Sequence, residues 1–332
     1  MSSRQRIAIV GAGMAGLSAA GELAKLGYDV VVFEKSRGPG GRSCSRRREG
    51  GSFDHGAPFF EVRSPAFTGA VRRWHLHGIV GQWDGDFGVA RGDGIQREHH
   101  PDERWVGQPK MSSVGRYLAS GLNLHVSTRI ISLSGDPGAW VLTDDAGTEH
   151  GPFDWVVLSC PGPQARALLP EACPLADEAS HMKYSMTWVA MLEFEDQLDL
   201  EWDAIRFIRG TLGAAYRNSS KPERGAQERW VLHADSQWSA IHQERSQHWV
   251  GAALSESFSS WAGASPSFVS AHRWLYAQSQ LRGIRLAMAD SQWQLGLCGD
   301  GLAGAGLDAA WSSGVTMADD IHLSHRSKSS HH

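Results

Sequence analysis

The most constraining feature of this sequence is a glycine pattern close to its N-terminus. Gly11-Ala12-Gly13-Met14-Ala15-Gly16 follows the apolar run Ile7–Val10 and precedes residues 14–26, which repeat apolar side chains at helical spacing. Such glycines permit a tight turn, a close approach of phosphate to the backbone, and close packing of helix on strand. A second apolar run, 29–33, completes a strand–helix–strand unit, which favours a parallel sheet.

An acidic residue stands at the end of the second predicted strand. The Glu34 carboxylate can accept hydrogen bonds from both hydroxyls of a ribose, and its charge would repel a 2′-phosphate. The amides at the start of the helix, Gly13 to Ala15, are expected to bind a pyrophosphate. These two motifs alone are compatible with FAD or NAD, and also with a packing turn beside a solvated carboxylate.

A glycine-rich segment without expected regular elements follows, from Ser36 to Ala57. Residues 34–42 read Glu-Lys-Ser-Arg-Gly-Pro-Gly-Gly-Arg and resemble the second glycine motif of glutathione-reductase-type and amine-oxidase-type flavoproteins. We expect Lys35, the amides of Gly40 and Gly41, and the Arg42 guanidinium to contact the cofactor. The segment therefore favours FAD over NAD, with a mobile basic surface loop as the alternative.

A third candidate cofactor segment lies near the other end of the chain. Gly299-Asp300 follows the apolar run Gln294–Cys298 and precedes a predicted closing helix, 308–321. In flavoproteins of this kind, such an aspartate accepts a ribityl hydroxyl. The same resemblance implies that the helix start, with Leu307, Asp308 and Ala310, faces the flavin pyrimidine edge. Cys298 lies inside the predicted strand and is expected to point into the core, so we predict non-covalent FAD.

From Arg6 to about Ile321 the chain resembles the bacterial renalase family of amine-oxidase-like flavoproteins. The motifs that carry the resemblance are Ser36-Arg37-Gly38 with Gly41-Arg42, Asp54-His55-Gly56-Ala57, Arg104-Trp105-Val106-Gly107, Asn218-Ser219-Ser220-Lys221-Pro222, Trp230-Val231-Leu232-His233-Ala234 with Trp238-Ser239, Ala271-His272-Arg273-Trp274-Leu275-Tyr276-Ala277, and Cys298-Gly299-Asp300. The sequence departs from the family at Gly301, where a longer aromatic side chain is expected, and at Pro58-Phe59-Phe60.

The resemblance implies an α/β fold. An FAD-binding Rossmann-like domain of the p-hydroxybenzoate-hydroxylase type would carry an inserted α+β substrate domain on a mostly antiparallel sheet. We predict the FAD-binding domain over residues 1–60, 108–172 and 285–323, and the substrate domain over 61–107 and 173–284. Residues 324–332 are predicted to form a disordered tail.

The resemblance also implies a reaction, the oxidation of isomeric dihydronicotinamides (dihydro-NAD(P)), with O2 reoxidising the flavin and yielding H2O2. A dihydropyridine becomes aromatic when it gives up a hydride, so no strong general base is required. This agrees with the absence of a recognisable nucleophile–base pair in the sequence. The alternatives are an amine oxidase or desaturase acting on another small apolar substrate, and a non-catalytic FAD-binding protein.

Several residues are candidates for contacts with the substrate or the flavin. The expected substrate wall comprises His233, Trp238, His272, Trp274, Tyr276 and Phe60. The expected further flavin contacts are Gly56, Ala57, Pro58 and Phe59, with Arg129 and Ile130 following a strand that contacts the adenine through its backbone. Each wall residue is equally compatible with core packing.

Composition excludes several other classes of function. A formal charge of −4, with a single basic cluster at Arg46 to Arg48, argues against nucleic acid as a partner. The four cysteines lack CxxC spacing and the 16 histidines lack HExxH spacing, so no metal site is predicted and a reducing cytoplasm is expected. No run of about 18 apolar residues predicts a membrane span. The 14 tryptophans suit a chain that walls a flat ligand.

Overall fold

The computed structural model describes residues 4–91, 94–98, 102–280 and 285–329. The chain divides into two compact units. Unit 1 comprises Met1–Gly41, Gly115–Lys183 and Ser279–His332, and unit 2 comprises Arg42–Val114 and Tyr184–Gln278.

The described strands, in chain order, are β1 (Arg6–Val10), β2 (Asp29–Phe33), β3 (Arg46–Arg48), β4 (Gly51–Phe53), β5 (Phe60–Glu61), β6 (Val80–Gln82), β7 (Phe87–Arg91), β8 (Gly94–Arg97), β9 (Arg104–Gly107), β10 (Asn123–His125), β11 (Ile130–Ser134), β12 (Trp140–Asp144), β13 (Glu149–Phe153), β14 (Trp155–Leu158), β15 (Tyr184–Glu193), β16 (Ala204–Phe207), β17 (Leu212–Arg217), β18 (Arg229–Ala234), β19 (Phe268–Ser279), β20 (Ala287–Asp290) and β21 (Leu295–Cys298). The described α-helices are α1 (Met14–Lys25), α2 (Pro65–Leu76), α3 (Ser112–Ala119), α4 (Gly162–Leu168), α5 (Leu175–His181), α6 (Ser236–Ile241), α7 (Gln247–Ala262), α8 (Asp300–Ala303) and α9 (Leu307–Ser329).

Unit 1 is built on a six-stranded sheet in the order β10-β2-β1-β14-β21-β20. All neighbours are parallel except β20, which runs antiparallel to β21. Strands β14 and β21 are buried along their whole length, as expected for parallel strands covered on both faces. Helix α1 packs closely against α9, where Ser18 Oγ donates to the Trp311 carbonyl at 3.0 Å. A three-stranded sheet, β11-β12-β13, completes the unit.

Unit 2 is built on a seven-stranded, mostly antiparallel sheet in the order β19-β15-β18-β17-β16-β7-β8. Successive side chains along β15 and β18 point to opposite faces, so each strand contributes to two cores. Trp188, Trp230 and Leu232 pack in a cluster with Leu254 and Phe258 of helix α7. The opposite face carries a second cluster with four fully buried members: Phe53, Val189, Met191 and Val231. The smaller sheets β5-β9-β6 and β3-β4 also belong to this unit.

The unit boundaries differ from the predicted domain boundaries, most clearly at residues 42–60. These residues fall in unit 2 rather than with the dinucleotide-binding unit. The cause is Asp54, which forms buried ion pairs with Lys221 at 3.3 Å and Arg224 at 2.7 Å. Long-range pairing of this kind has no local sequence signature.

Three local expectations are corrected. The 36–57 segment, expected to lack regular elements, contains β3 and β4. The run of alternating and apolar residues over 125–133 predicts a single strand, but it is divided between β10 and β11, because Ser127 adopts a φ of +53° and Thr128 N donates to the Glu34 carbonyl. Helix α9 extends through residues 324–329, where a disordered tail is predicted, and Ser324 Oγ donates to the Asp320 carbonyl there. Residues 330–332 lie outside the described part.

Among the described residues, no helix combines the length and the apolar character needed to cross a lipid bilayer.

Candidate functional site

The first glycine motif of unit 1 forms a turn that leads directly into helix α1. Gly11 has a φ of +108°, in the left-handed region that favours glycine. A Cβ at Gly16 would overlap the Gly11 carbonyl oxygen and Ser159 Oγ, so helix and strand can approach only with glycine there. At Gly13, by contrast, a Cβ would have no atom within 4 Å. The backbone at the helix start is therefore open to a ligand.

Helix α1 begins at Met14 without a side-chain cap, since Gly13 at its N-cap has no side chain to accept a hydrogen bond. The first amides of a helix lack intrahelical acceptors and carry a partial positive charge. Open space and amide donors together fit the pyrophosphate of a dinucleotide.

The Glu34 carboxylate is buried and bound only by backbone amides in the hydrogen bonds that the structure describes. One oxygen accepts from Ala12 N at 2.8 Å, and the other accepts from Ser36 N at 2.8 Å. Each oxygen retains a further lone pair, so the carboxylate can still accept hydroxyl groups. Lys35, also predicted to contact the cofactor, instead has its Nζ atom 3.4 Å from Gln164 Oε1 at the surface.

The second glycine motif packs on the first. Gly40 N donates to the Ala12 carbonyl at 2.8 Å, and a Cβ at Gly41 would lie 3.3 Å from the Gly13 Cα. A Cβ at Gly115 would lie only 2.6 Å from the Gly40 Cα, which fixes the other side of this turn. The structure thus brings Gly40 and Gly41 to the turn predicted to bind pyrophosphate. Arg42 lies in unit 2, and its contact with the cofactor stays a prediction.

The C-terminal candidates lie where β21 meets helices α8 and α9. Asp300 is buried and follows Gly299, which has a φ of +140° and donates through its N–H to Ser313 Oγ at 2.7 Å. Helix α9 begins at Leu307, and Asp308 accepts from Ser312 Oγ at 3.2 Å within its first turns. Ala310, one turn in, is buried. These positions suit the predicted ribityl and pyrimidine contacts, which remain predictions.

Two further elements of unit 1 bear on the cofactor predictions. The Arg129 carbonyl accepts from Asp145 N at 2.9 Å, and Ile130 begins β11 directly after the turn that binds the Glu34 carbonyl. Cys298 is buried, and burial followed by the neighbouring Cys160 raises the pKa of its thiol to about 12. A thiol with this pKa is a poor nucleophile at neutral pH, which supports non-covalent binding.

In unit 2, Asp54 is the centre of a fully buried polar network. Its carboxylate pairs with Lys221 and Arg224 and accepts hydrogen bonds from Ser45 Oγ at 2.7 Å and Met111 N at 3.0 Å. Burial raises the pKa of this carboxyl, but the two cations and the hydrogen bonds outweigh it, so the pKa is lowered. Burial lowers the pKa of Lys221 to about 8. Asp54 is therefore ionised, and its carboxylate is bound by two cations, a hydroxyl and a backbone amide.

The next residue, His55, begins a cluster of imidazole and indole rings. The ring of His55 lies 5.0 Å from that of His272 and 5.4 Å from that of Trp274, and Trp274 Nε1 donates to the His55 carbonyl at 2.8 Å. Burial, followed by the charges of His272 and Arg46, lowers the pKa of His55 to about 4. Burial and Arg46 also lower the pKa of His272. His55, and by the direction of its shift His272, are therefore uncharged at neutral pH.

His233 lies on the same face of the large sheet as the buried Val231, two residues before it on β18. Its ring is 5.2 Å from the ring of Tyr216, which is in turn 6.1 Å from the ring of Phe59. Burial and then Lys221 lower the pKa of His233 to about 4. Phe59 also packs against Trp83 and Phe87.

The structure brings some of the predicted wall residues together and separates others. His272, Trp274 and Tyr276 alternate along β19, and Tyr276 packs edge-on against Tyr184 at 5.6 Å. Trp238 instead stacks on Trp249 at 6.0 Å, beside the core that helix α7 covers. Phe60 is buried against Phe67 of helix α2. Trp238 and Phe60 thus make packing contacts, and the contacts of the wall residues with a substrate stay predictions.

The chain is similar to known dinucleotide-binding proteins and oxidoreductases in both sequence and fold. Residues 9–74 match the model of an NAD(P)-binding Rossmann-like domain. The chain is 52% identical over 72 residues to a zeta-carotene-forming phytoene desaturase from Myxococcus xanthus, of which it covers only 14%. It superposes with a TM-score of 0.80 on a protein described as a protoporphyrinogen oxidase from Exiguobacterium sp. 255-15, at 16% identity over 97% of this chain and 99% of that one.

A second superposition has a TM-score of 0.78. It is on cyclohexylamine oxidase from Brevibacterium oxydans IH-35A, at 11% identity over 98% of this chain and 100% of that one. The chain has the fold of the FAD-dependent amine oxidases. The predicted fold class, a Rossmann-like dinucleotide domain with a mostly antiparallel second sheet, is thereby confirmed.

Sequence reasoning missed four residues that the structure adds to the unit 2 cluster: Asp54, Tyr216, Lys221 and Arg224. Asp54 and Lys221 stand inside motifs noted above, but their pairing spans 167 positions. Tyr216 could have been found from strand alternation, because it lies opposite Val231 in the β17–β18 ladder and shares its face.

Proposed function

We propose that this chain is a renalase-like, FAD-dependent oxidase. It takes a hydride from isomeric dihydronicotinamides and is reoxidised by O2 with release of H2O2. The observation that carries this proposal is a group of uncharged imidazoles in unit 2, those of His55, His233 and His272, whose pKa values burial lowers. Hydride loss from a dihydropyridine requires a correctly oriented ring but no strong base. Uncharged imidazole rings can orient the donor without acting as a strong base.

In this proposal FAD is bound non-covalently through unit 1. The open turn at Gly13 and the first amides of α1 would bind the pyrophosphate, and Glu34 would accept the ribose hydroxyls of the adenosine half. Asp300 and the start of helix α9 at Leu307 are the proposed contacts to the ribityl chain and the flavin ring. When bound, FAD supplies the two-electron acceptor.

Residues of unit 2 orient the donor ring. His272 and Trp274 pack at a ring distance of 4.6 Å, and the hydrogen bond from Trp274 to the His55 backbone restricts the indole rotamer. His272 and Trp274 meet edge-to-face and so restrict each other's orientation, which would help to hold a donor ring in place. Hydride transfer requires reacting atoms within about 3–3.5 Å. Asp54 cannot act as a base, because its lowered pKa and its two cation partners keep it from accepting a proton.

The cellular setting is proposed from cysteine usage. In the part of the chain that the structure describes, Cys44, Cys160, Cys173 and Cys298 form no disulfide bonds. Cysteines without disulfides are typical of a reducing compartment, so we propose that the reaction takes place in the cytoplasm.

An anaerobic titration of the holoprotein with purified dihydronicotinamide isomers tests the function. We expect the flavin absorption band to bleach stoichiometrically and to return with peroxide when air is admitted. The 1,4-dihydro isomer is the matched control and should react more slowly. A flavin band that persists with every isomer would contradict the proposal.

Oxidation of an amine or desaturation of an apolar substrate is the second candidate. The local identity to a desaturase and the aromatic side chains Phe59, Trp83 and Phe87 favour it. A panel of amines under air distinguishes the two, because peroxide release with amines, and none with dihydronicotinamides, would select this candidate.

A further inference from the structure

A buried nitrogen atom on β18 lacks a protein partner. In the described part of the chain, Nε2 of His233 is buried and has no hydrogen-bond partner. Leaving a buried polar atom unsatisfied is destabilising, so such an atom in a native protein generally meets a water molecule or a ligand.

The other ring nitrogen explains which kind of partner Nε2 requires. A hydrogen bond between the His233 ring and the Gly56 backbone raises the pKa of the imidazole, the effect of a ring N–H that donates to a carbonyl. Since Nε2 has no partner, we infer that Nδ1 is this donor. In a neutral imidazole the remaining nitrogen is a bare acceptor. Nε2 can therefore accept a hydrogen bond but cannot donate one.

The surroundings limit the ligand further. The ring of Tyr216 lies edge-on to His233 at 5.2 Å, and Ala214 and Val189 are its direct neighbours on the adjacent strands. The charge of Lys221 acts on the same ring. An ammonium group would be repelled by this cation, whereas a neutral amide N–H would not. A flat ring with an amide substituent fits this combination of apolar contacts and a single acceptor.

We propose that Nε2 of His233 accepts a hydrogen bond from the primary amide of the substrate and thereby selects nicotinamide-type rings. This inference rests on the proposed function and names the group that the same site recognises. His233 is then a specificity-determining residue that fixes the ring through its substituent, without taking part in hydride transfer.

Two substitutions separate recognition from structural support. In His233→Asn the side-chain amide nitrogen takes the place of Nδ1, so the bond to Gly56 can persist while the Nε2 acceptor is lost. In His233→Gln the amide reaches the Nε2 position and its oxygen can replace the acceptor. His75→Asn is the matched control, because His75 lies on helix α2, where its Nδ1 is 3.0 Å from the Val80 carbonyl.

The ligand probes are oxidised NAD and its analogue in which an acetyl group replaces the carboxamide. Both are redox-inert toward oxidised flavin, and the acetyl group has the same shape but no N–H. Calorimetric dissociation constants of the holoprotein should favour the amide about tenfold in wild type, the effect expected of one buried hydrogen bond. The preference should persist in His75→Asn and largely in His233→Gln, and it should disappear in His233→Asn.

A spectroscopic measurement on the wild-type protein covers the case in which His233→Asn fails to fold. In protein with 15N-labelled histidine, the Nε2 resonance of His233, assigned by its absence in His233→Gln, should have the shift of an unprotonated nitrogen. It should move on addition of NAD and not on addition of the acetyl analogue.

Two results would overturn the inference: equal affinity of wild type for both probes, or an unchanged preference in His233→Asn. The first result would mean that a water molecule satisfies Nε2. Flavin reduction is scored separately. Bleaching that is equally fast with amide and acetyl donors refutes the inference and leaves the proposed function intact. A binding preference for the amide probe without any bleaching of the flavin would support the inference about His233 and refute the proposed function.

Discussion

Two buried carboxylates of this chain, Glu34 in unit 1 and Asp54 in unit 2, satisfy their charges in different ways. Glu34 is 6% exposed and accepts from the backbone amides of Ala12 and Ser36. Asp54 is 0% exposed and bound by Lys221, Arg224, a serine hydroxyl and a backbone amide. Both carboxylates stand beside glycine-rich turns. Of the two, only Asp54 forms ion pairs with the residues that the structure describes.

The difference separates a carboxylate available to a ligand from one that holds the fold. An amide bond uses one lone pair of each Glu34 oxygen and leaves others for hydroxyl groups. The buried cations around Asp54 would be uncompensated without it, and a buried charge without a partner is strongly destabilising. Loss of charge should therefore lower stability mainly at Asp54 and weaken cofactor binding mainly at Glu34.

The largest effect is expected for Asp54→Asn. The amide keeps the volume of the side chain but leaves Lys221 and Arg224 without an anion, so the free energy of unfolding should fall by about 3–5 kcal/mol. Urea unfolding followed by circular dichroism measures it. If Asp54→Asn were no less stable than Glu34→Gln, the contrast between the two carboxylates would be wrong.

The turn beside Glu34 is tested by two alanines on one helix. Gly16→Ala places a Cβ on the Gly11 carbonyl and should cost about 1–3 kcal/mol and lower the flavin content of the purified protein. Gly21→Ala, also in helix α1 and with open space at its Cβ, should stabilise by about 0.5–1 kcal/mol. Absorbance at the flavin band and thermal unfolding measure both, and equal effects of the two alanines would refute the close approach.

The third prediction concerns how the stability of the protein depends on pH through His233 in unit 2. His233 has a pKa of about 4 when folded and an ordinary value near 6.5 when unfolded, so the unfolded chain binds more protons between these values. Stability should therefore fall as pH decreases from 6.5 towards 4, with a loss of about 2 kcal/mol from this residue at pH 5. Urea unfolding at pH 7.5 and pH 5 should give a smaller difference for His233→Gln than for wild type.

The smallest loss of stability is expected for Glu34→Gln. One acceptor oxygen becomes an amide that faces a backbone N–H, which should cost about 1 kcal/mol in stability and weaken FAD binding about tenfold. Equilibrium titration of the apoprotein with FAD gives the affinity. Unchanged FAD affinity would show that Glu34 serves the turn and not the ribose.

The sequence predicted the parts of the fold that depend on neighbouring residues. The run Ile7–Val10, the glycine turn and the periodic segment from Met14 appear as β1, the turn and α1, because each follows from local spacing. The alternation of His272, Trp274 and Tyr276 likewise put three rings on one face of β19. The division at Ser127 was missed, because a non-glycine residue with positive φ has no reliable local signature.

The contacts of Trp238 and Phe60 show a limit of such reasoning. Both are predicted wall residues; Trp238 stacks on Trp249 of α7 and Phe60 packs on Phe67 of α2, and their contact with a substrate stays a prediction. Aromatic side chains bury large areas in a core as readily as in a site, so residue type alone does not distinguish the two.

By itself, then, the sequence determined the glycine turn that opens helix α1 and the class of fold, since backbone conformation and strand alternation are encoded over a few residues. Only the tertiary structure decided that residues 42–60 group with unit 2 and that Asp54 pairs with Lys221 and Arg224. It also decided that Nε2 of His233 has no hydrogen-bond partner among the described residues. Burial and charge compensation depend on residues more than 160 positions apart, and no local pattern specifies them.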